Sequence, residues 1–99
     1  MVVIVFRSKL KPGIGEEFTH ANEGIEPHAK SFPGFLEERS YTAVDGERLT
    51  VVWYESKEAL EAWANDPRHR AIKQKGRENW YEYYKMSVAE VYRTSDFPA

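Results

Sequence analysis

The chain contains no cysteine. Disulfides, thiolate metal sites and a cysteine nucleophile are therefore excluded. It also has little net charge: 14 Lys and Arg against 16 Asp and Glu leave −2 at neutral pH. A general nucleic-acid binder needs a basic surface, so that class is set aside. Long apolar runs are absent. No segment approaches the roughly 20 apolar residues of a membrane span. Met-Val-Val-Ile-Val-Phe-Arg at the start is too short an apolar run, with no basic stretch before it, to read as a secretory signal. The expectation is a soluble cytoplasmic protein without a membrane or nucleic-acid partner. Linkers, repeats and low-complexity tracts are missing too, and 99 residues is the length of one domain, spanning 1–99. What the chain has in excess is aromatic residues, at 14%. That excess asks for a reason.

Hydrophobic spacing supplies the elements. Val2 to Phe6 is a β-branched-rich apolar run and opens a strand over 2–10. Ile14, Phe18, Ala21, Ile25 and Ala29 fall at helical spacing, with Glu16 and Glu17 in the first turn, where the helix dipole favours acids. Pro27 is expected to kink or end that helix. A second strand is expected over 35–43. Asp45-Gly46 marks a hairpin into a third strand over 49–55. Ser56 is a candidate N-cap for the helix Lys57 to Asn65, whose Ala59, Leu60 and Trp63 share a face. Asp66-Pro67 starts another helix, with Gly76 as its expected stop. A last strand is expected over about 84–93.

The order is β-α-β-β-α-β, an α+β ferredoxin-like arrangement with an antiparallel sheet and helices on one face. Two strands, Val-Val-Ile-Val-Phe and Val-Val-Trp-Tyr, are apolar on both faces. A sheet with one wet face should alternate. Helices cover one face, so a second copy of the chain is expected on the other, giving a sheet-to-sheet homodimer.

His69 falls at the third position of the helix begun by Asp66-Pro67. Exposed N–H groups there lower a histidine's pKa and favour the neutral base. It reads either as a general base or as a capping surface histidine. His20 and His28 read as solvated, and no histidine pair has metal-ligand spacing. Trp63 is core or pocket wall. Trp53 and Tyr54 are strand neighbours and must point to opposite faces. Trp80, Tyr81, Tyr83 and Tyr84 form an aromatic cluster that suits a pocket for a flat ligand and equally suits a dimer interface. Arg68, Arg70, Lys73, Lys75 and Arg77 are interleaved with acids and read as a solvated face, with one cation available to hold an anion.

Phe-Pro-Gly-Phe, Val-Val-Trp-Tyr-Glu-Ser-Lys-Glu-Ala-Leu-Glu-Ala-Trp, Asp-Pro-Arg-His-Arg-Ala and the run from Gly76 to Arg93 together resemble the antibiotic biosynthesis monooxygenase family. The resemblance covers roughly Met1 to Arg93. It implies a dimeric α/β barrel with a pocket between helices and sheet in each subunit. Anthrone-oxidising members of that family work without metal or prosthetic group: they deprotonate a phenolic polycycle and let the carbanion meet oxygen. Their asparagine, tryptophan, helix tyrosine and arginine correspond here to Thr50, Tyr54, Leu60 and Lys73. Haem-degrading members place a tryptophan, an asparagine and an axial histidine where this chain has Trp63, Phe6 and Lys73. The resemblance thus implies a cofactor-independent oxidation of a small phenolic or quinol-like compound. Trp63, Tyr54 and Tyr81 would hold the ring, His69 would accept the proton, and Lys73 or Arg77 would sit by the oxyanion. Haem binding with degradation, and a non-catalytic ligand-binding or stress dimer, are the alternatives.

Overall fold

The computed structural model describes residues 1–99. Strand β1 (Val2–Leu10) leads to helix α1 (Gly15–Ser31), then β2 (Phe35–Thr42) and β3 (Arg48–Tyr54). Helices α2 (Lys57–Ala64) and α3 (Pro67–Lys75) follow, then a π-helical turn over Gly76–Trp80 and β4 (Tyr81–Glu90). The four strands form one antiparallel sheet in the order β2-β3-β1-β4. This is the ferredoxin-like fold expected from the sequence.

Two sequence-based boundaries need correction, and the expected end of α3 at Gly76 is reached by a different conformation. Pro27 does not end α1, which continues to Ser31. The turn around it is exposed, so water can satisfy the carbonyl that the missing N–H leaves free. Gly76 does not stop α3 as a left-handed cap. It has φ −61° and ψ −46°, and the chain winds on through the π turn. Its glycine is needed for space: an added Cβ would lie 2.7 Å from Tyr81 Cε2. The wide turn brings the chain to the sheet edge early, so β4 begins at Tyr81, not Tyr84, and ends at Glu90. Lys11 N–H donates to the Trp80 carbonyl at 2.8 Å, locking that entry to the end of β1.

The caps follow the sequence. Ser56 Oγ accepts the Ala59 N–H at 3.1 Å, and Asp66 Oδ2 accepts the His69 N–H at 3.1 Å. Gly34, at φ +89°, turns the chain tightly under α2, where a Cβ would collide with Ala59.

Register sorts the strand residues into two faces. Val2 pairs with Tyr54, Ile4 with Val52, Phe6 with Thr50 and Ser8 with Arg48. These point toward the helices, because Tyr54 and Val2 pack with Trp63 of α2. The alternate residues Val3, Val5, Leu49, Val51 and Trp53 point away, partly exposed, with no helix over them. Only seven of the 99 residues are buried. The core is thin for two reasons: an uncovered apolar face on one side of the sheet and a cavity on the other.

Candidate functional site

A cavity of about 460 Å³ lies between the helix-facing side of the sheet and α1, α2 and α3. That volume falls within the range of small-molecule sites. Its walls are mostly apolar and aromatic, with polar groups at both ends and along the floor.

At one end, α2 and α3 present Trp63 and His69. Their rings stack, with centroids 4.4 Å apart and planes 24° from parallel. His69 Nδ1 lies 3.2 Å from the Trp63 carbonyl oxygen. A carbonyl only accepts, so Nδ1 carries the proton and donates, which leaves Nε2 with its lone pair. Burial lowers the His69 pKa, and Lys73 one helical turn along lowers it further. The ring is therefore a neutral base at neutral pH. Asp66 fixes the start of α3. Its Oδ2 also bonds His28 Nε2 at 3.0 Å, tying α1 to the first turn that carries His69. Burial pushes the Asp66 carboxyl up, but the His69 N–H and the His28 ring outweigh this and hold it below its usual range. His28 is thus half-buried and bonded, not solvated as the sequence suggested.

Tyr54 lies on the cavity floor at this end. Burial, then the charge of Glu38, raises its pKa well above the usual phenol range, so its hydroxyl stays protonated and available as a donor. Along the floor, Thr50 Oγ1 and Ser40 Oγ share a hydrogen bond of 3.0 Å. Glu38 also lines the cavity, and burial, reinforced by Glu26, raises its carboxyl.

The other end is built from Phe6, Phe18, Trp80, Tyr81, Tyr84 and Arg48. Phe18 meets Trp80 edge-on at 5.8 Å and 89°. The Arg48 guanidinium lies over the Phe18 ring, 4.7 Å from its centroid. No carboxylate lies within 4.0 Å of Arg48, since the five ion pairs of the chain are Arg7–Glu47, His28–Asp66, Lys30–Glu26, Lys57–Glu61 and Lys75–Glu17. The indole Nε1 of Trp80 is buried without a hydrogen-bond partner.

Of the residues singled out in the sequence, the cavity gathers His69, Tyr54, Lys73, Trp63, Tyr81, Phe6, Thr50 and Leu60. It does not include Arg77, which is exposed and donates from Nε to the Tyr84 hydroxyl at 2.8 Å. Arg48 and Glu38 were missed. For Arg48 the signal was parity, whereas Glu38 reaches this face only through the register shift between Phe35 and Glu37. Arg48 lies six residues before Tyr54 on one strand, hence on the same face. No group of three or more His, Asp or Glu side chains gathers as a metal site, and no helix is long and apolar enough to cross a membrane.

The two-layer arrangement, with a small-molecule-sized cavity between sheet and helices, defines a ferredoxin-like α+β domain built around a pocket. The chain belongs to the antibiotic biosynthesis monooxygenase family, whose sequence profile matches residues 1–75. It is 43% identical over 61 residues to the uncharacterized protein YqjZ of Bacillus subtilis, covering 62% of this chain and 54% of that protein. It is 22% identical over 93 residues to a jasmonate monooxygenase of Pyricularia oryzae, covering 92% of this chain and 43% of that protein. The chain thus spans about half the length of the curated relatives it matches. Among solved structures, a protein from Deinococcus radiodurans described as a putative antibiotic biosynthesis monooxygenase superposes with a TM-score of 0.85 over the full length of both chains, at 11% identity. SnoaB of Streptomyces nogalater, described as a cofactor-independent oxygenase, superposes with a TM-score of 0.80 at 15% identity, covering 99% of this chain and 97% of that one. At these identities the structures establish the shared fold.

Proposed function

We propose that this chain is a cofactor-independent monooxygenase that oxidises a small phenolic or quinol-like ring. The observation that carries the reading is His69: a neutral imidazole whose Nδ1 is committed to the Trp63 carbonyl, leaving Nε2 as the free acceptor in an aromatic-walled cavity. The monooxygenase and cofactor-independent oxygenase among its relatives and structural neighbours support the same class.

In this reading the ring lies between Trp63 and Tyr54, while Tyr81, which the sequence assigned to the ring, stands at the far end of the cavity. His69 Nε2 removes the phenolic proton, which places carbanion character on a ring carbon that bears one hydrogen, ortho or para to the oxygen. Lys73, and the protonated hydroxyl of Tyr54, stabilise the enolate oxygen that forms. The carbanion gives its electrons to O₂ and forms a C–O bond. The peroxide anion regains the proton from His69 and becomes a hydroperoxide. Loss of the hydrogen on that carbon as a proton then expels hydroxide from the O–O bond, leaving C=O and, with that proton, water. The substrate gives up four electrons and O₂ takes them all. One oxygen atom ends in the product and one in water.

The working unit of the proposal is a homodimer. A monomer of 11.5 kDa exposes about 5,800 Å² by the usual mass scaling, whereas this chain exposes 7039 Å². The excess is about 1,200 Å² per copy on that scaling, or about 2,400 Å² for a pair, the size class of obligate homodimer interfaces. Val3, Val5, Val51 and Trp53 supply an apolar face for a second copy.

The deciding measurement is oxygen uptake by metal-stripped protein given a panel of anthrones, quinols and catechols. Uptake above the spontaneous rate, lost in His69→Ala, is the expected result. Uptake that requires added haem or flavin would overturn the reading.

A further inference from the structure

The proposed chemistry uses one end of the cavity. The opposite end holds groups that it leaves idle, and those groups are donors. The Arg48 guanidinium is held over Phe18 with no carboxylate within ion-pairing distance. Trp80, packed edge-on against the same Phe18, keeps its buried indole N–H without an acceptor. Trp80 is 2% exposed and is also a cavity wall. Tyr81 completes the group, edge-on to Phe18 at 6.0 Å. An unpaired buried donor is costly, and a guanidinium on an aromatic face offers a fork of N–H groups shaped for a carboxylate. Such a set suits an acceptor brought in by a ligand.

We propose that the Arg48 end of the cavity is an anion station that receives a carboxylate carried on a flexible arm of the ring substrate. This rests on the monooxygenase reading for the identity of the ring, and it extends that reading to the substrate class: a phenolic or quinol ring bearing an acidic side chain. The register sets the arm. Arg48 lies six residues from Tyr54, about 20 Å of extended strand. A ring held between Trp63 and Tyr54 cannot reach Arg48 with its own substituent oxygens, so several methylenes must bridge the apolar floor of Ile4, Val52 and Phe6. The cavity's carboxyls do not occupy the station. Glu26 is bonded to Lys30 at 2.6 Å, and Glu38 is separated from Arg48 by the Ser40–Thr50 rung.

Calorimetric binding of two series tests this: ω-(2,5-dihydroxyphenyl)alkanoic acids with arms of three to eight carbons, and their primary amides. The expected result is an acid bound at least tenfold more tightly than its amide, with an optimum at an intermediate arm length. Arg48→Met should bring the pair to within about twofold. Arg48→Lys should retain part of the preference. Lys75→Met, which removes a cation near Trp80 but outside the cavity, should retain all of it. Circular dichroism establishes that each variant is folded. An acid preference absent at every arm length, or one that survives in folded Arg48→Met, overturns the station; so does failure of every acid to bind. The two proposals fail separately. An acid preference lost in Arg48→Met, without oxygen uptake, keeps the station and removes the monooxygenase. Oxygen uptake on neutral quinols with no acid preference does the reverse.

Discussion

At the residue scale, the consequence of the His69 environment is a pH dependence with a definite sign. Burial disfavours the imidazolium, and Lys73 disfavours it further. The folded pKa therefore lies below the unfolded value near 6.5. If Nε2 is the base, kcat/KM should fall on the acid side along a limb centred below pH 6.5. A limb centred at or above 6.5 would remove His69 from the role. Lys73→Met withdraws one of the two lowering influences, so it should move the limb upward while lowering the rate through loss of the cation near the oxyanion. His69→Ala should lower kcat/KM by about 10²–10⁴, the usual range for a general base. Stability follows the same sign. The unfolded chain protonates this histidine first, so the protein loses stability as pH falls from about 6.5 toward the lowered folded value. His69→Gln should flatten that part of a urea-midpoint profile against pH.

At the scale of the element, Asp66 and Gly76 bracket α3 and act by different means. Asp66 accepts from the His69 N–H and from His28, so Asp66→Ala removes both a cap and the tie to α1. The loss should be about 1–2 kcal/mol, read as a fall in melting temperature of several degrees for a domain of this size. Asp66→Asn keeps a capping oxygen and should recover most of it. Gly76→Ala sets a Cβ against the Tyr81 ring, and the overpacking should cost about 1–3 kcal/mol; an unchanged urea midpoint would show that the ring moves freely aside. These two residues also mark where the sequence could be read and where it could not. Asp66-Pro67 announces a helix start because cap chemistry is local. The π turn after Gly76 has no period of its own, so β4 was expected three residues late. The His28–Asp66 bond spans 38 residues, and nothing near either residue signals it. Val2, Tyr54 and Trp63 were legible from strand alternation and helical spacing. Arg48 was legible by the same alternation but stands at the hairpin edge, one residue outside the expected strand.

At the scale of the whole molecule, the sheet separates two tasks that compete for the same few apolar residues. Its helix-facing side is hollow where a close-packed domain would be filled, and a chain this short has little other core. The open side carries Val3, Val5, Leu49, Val51 and Trp53, with Tyr41 at one margin, 54% exposed. Beside it Glu47 accepts from Arg7 at 2.7 Å and from the Tyr83 hydroxyl at 2.5 Å, a polar corner suited to an interface rim. Burying the open face in a dimer would supply the stability that the cavity withholds, so folding and association should be coupled. Sedimentation equilibrium should give twice 11.5 kDa for the wild type, and the melting temperature should rise with protein concentration. Trp53→Glu places a charge at the centre of the proposed contact while leaving the Trp63–Tyr54 side untouched. It should shift the mass toward the single chain, abolish the concentration dependence and lower the melting temperature. A wild type that sediments as one chain at micromolar concentration, with a melting temperature independent of dilution, would remove the dimer and require the domain to stand on its thin core alone.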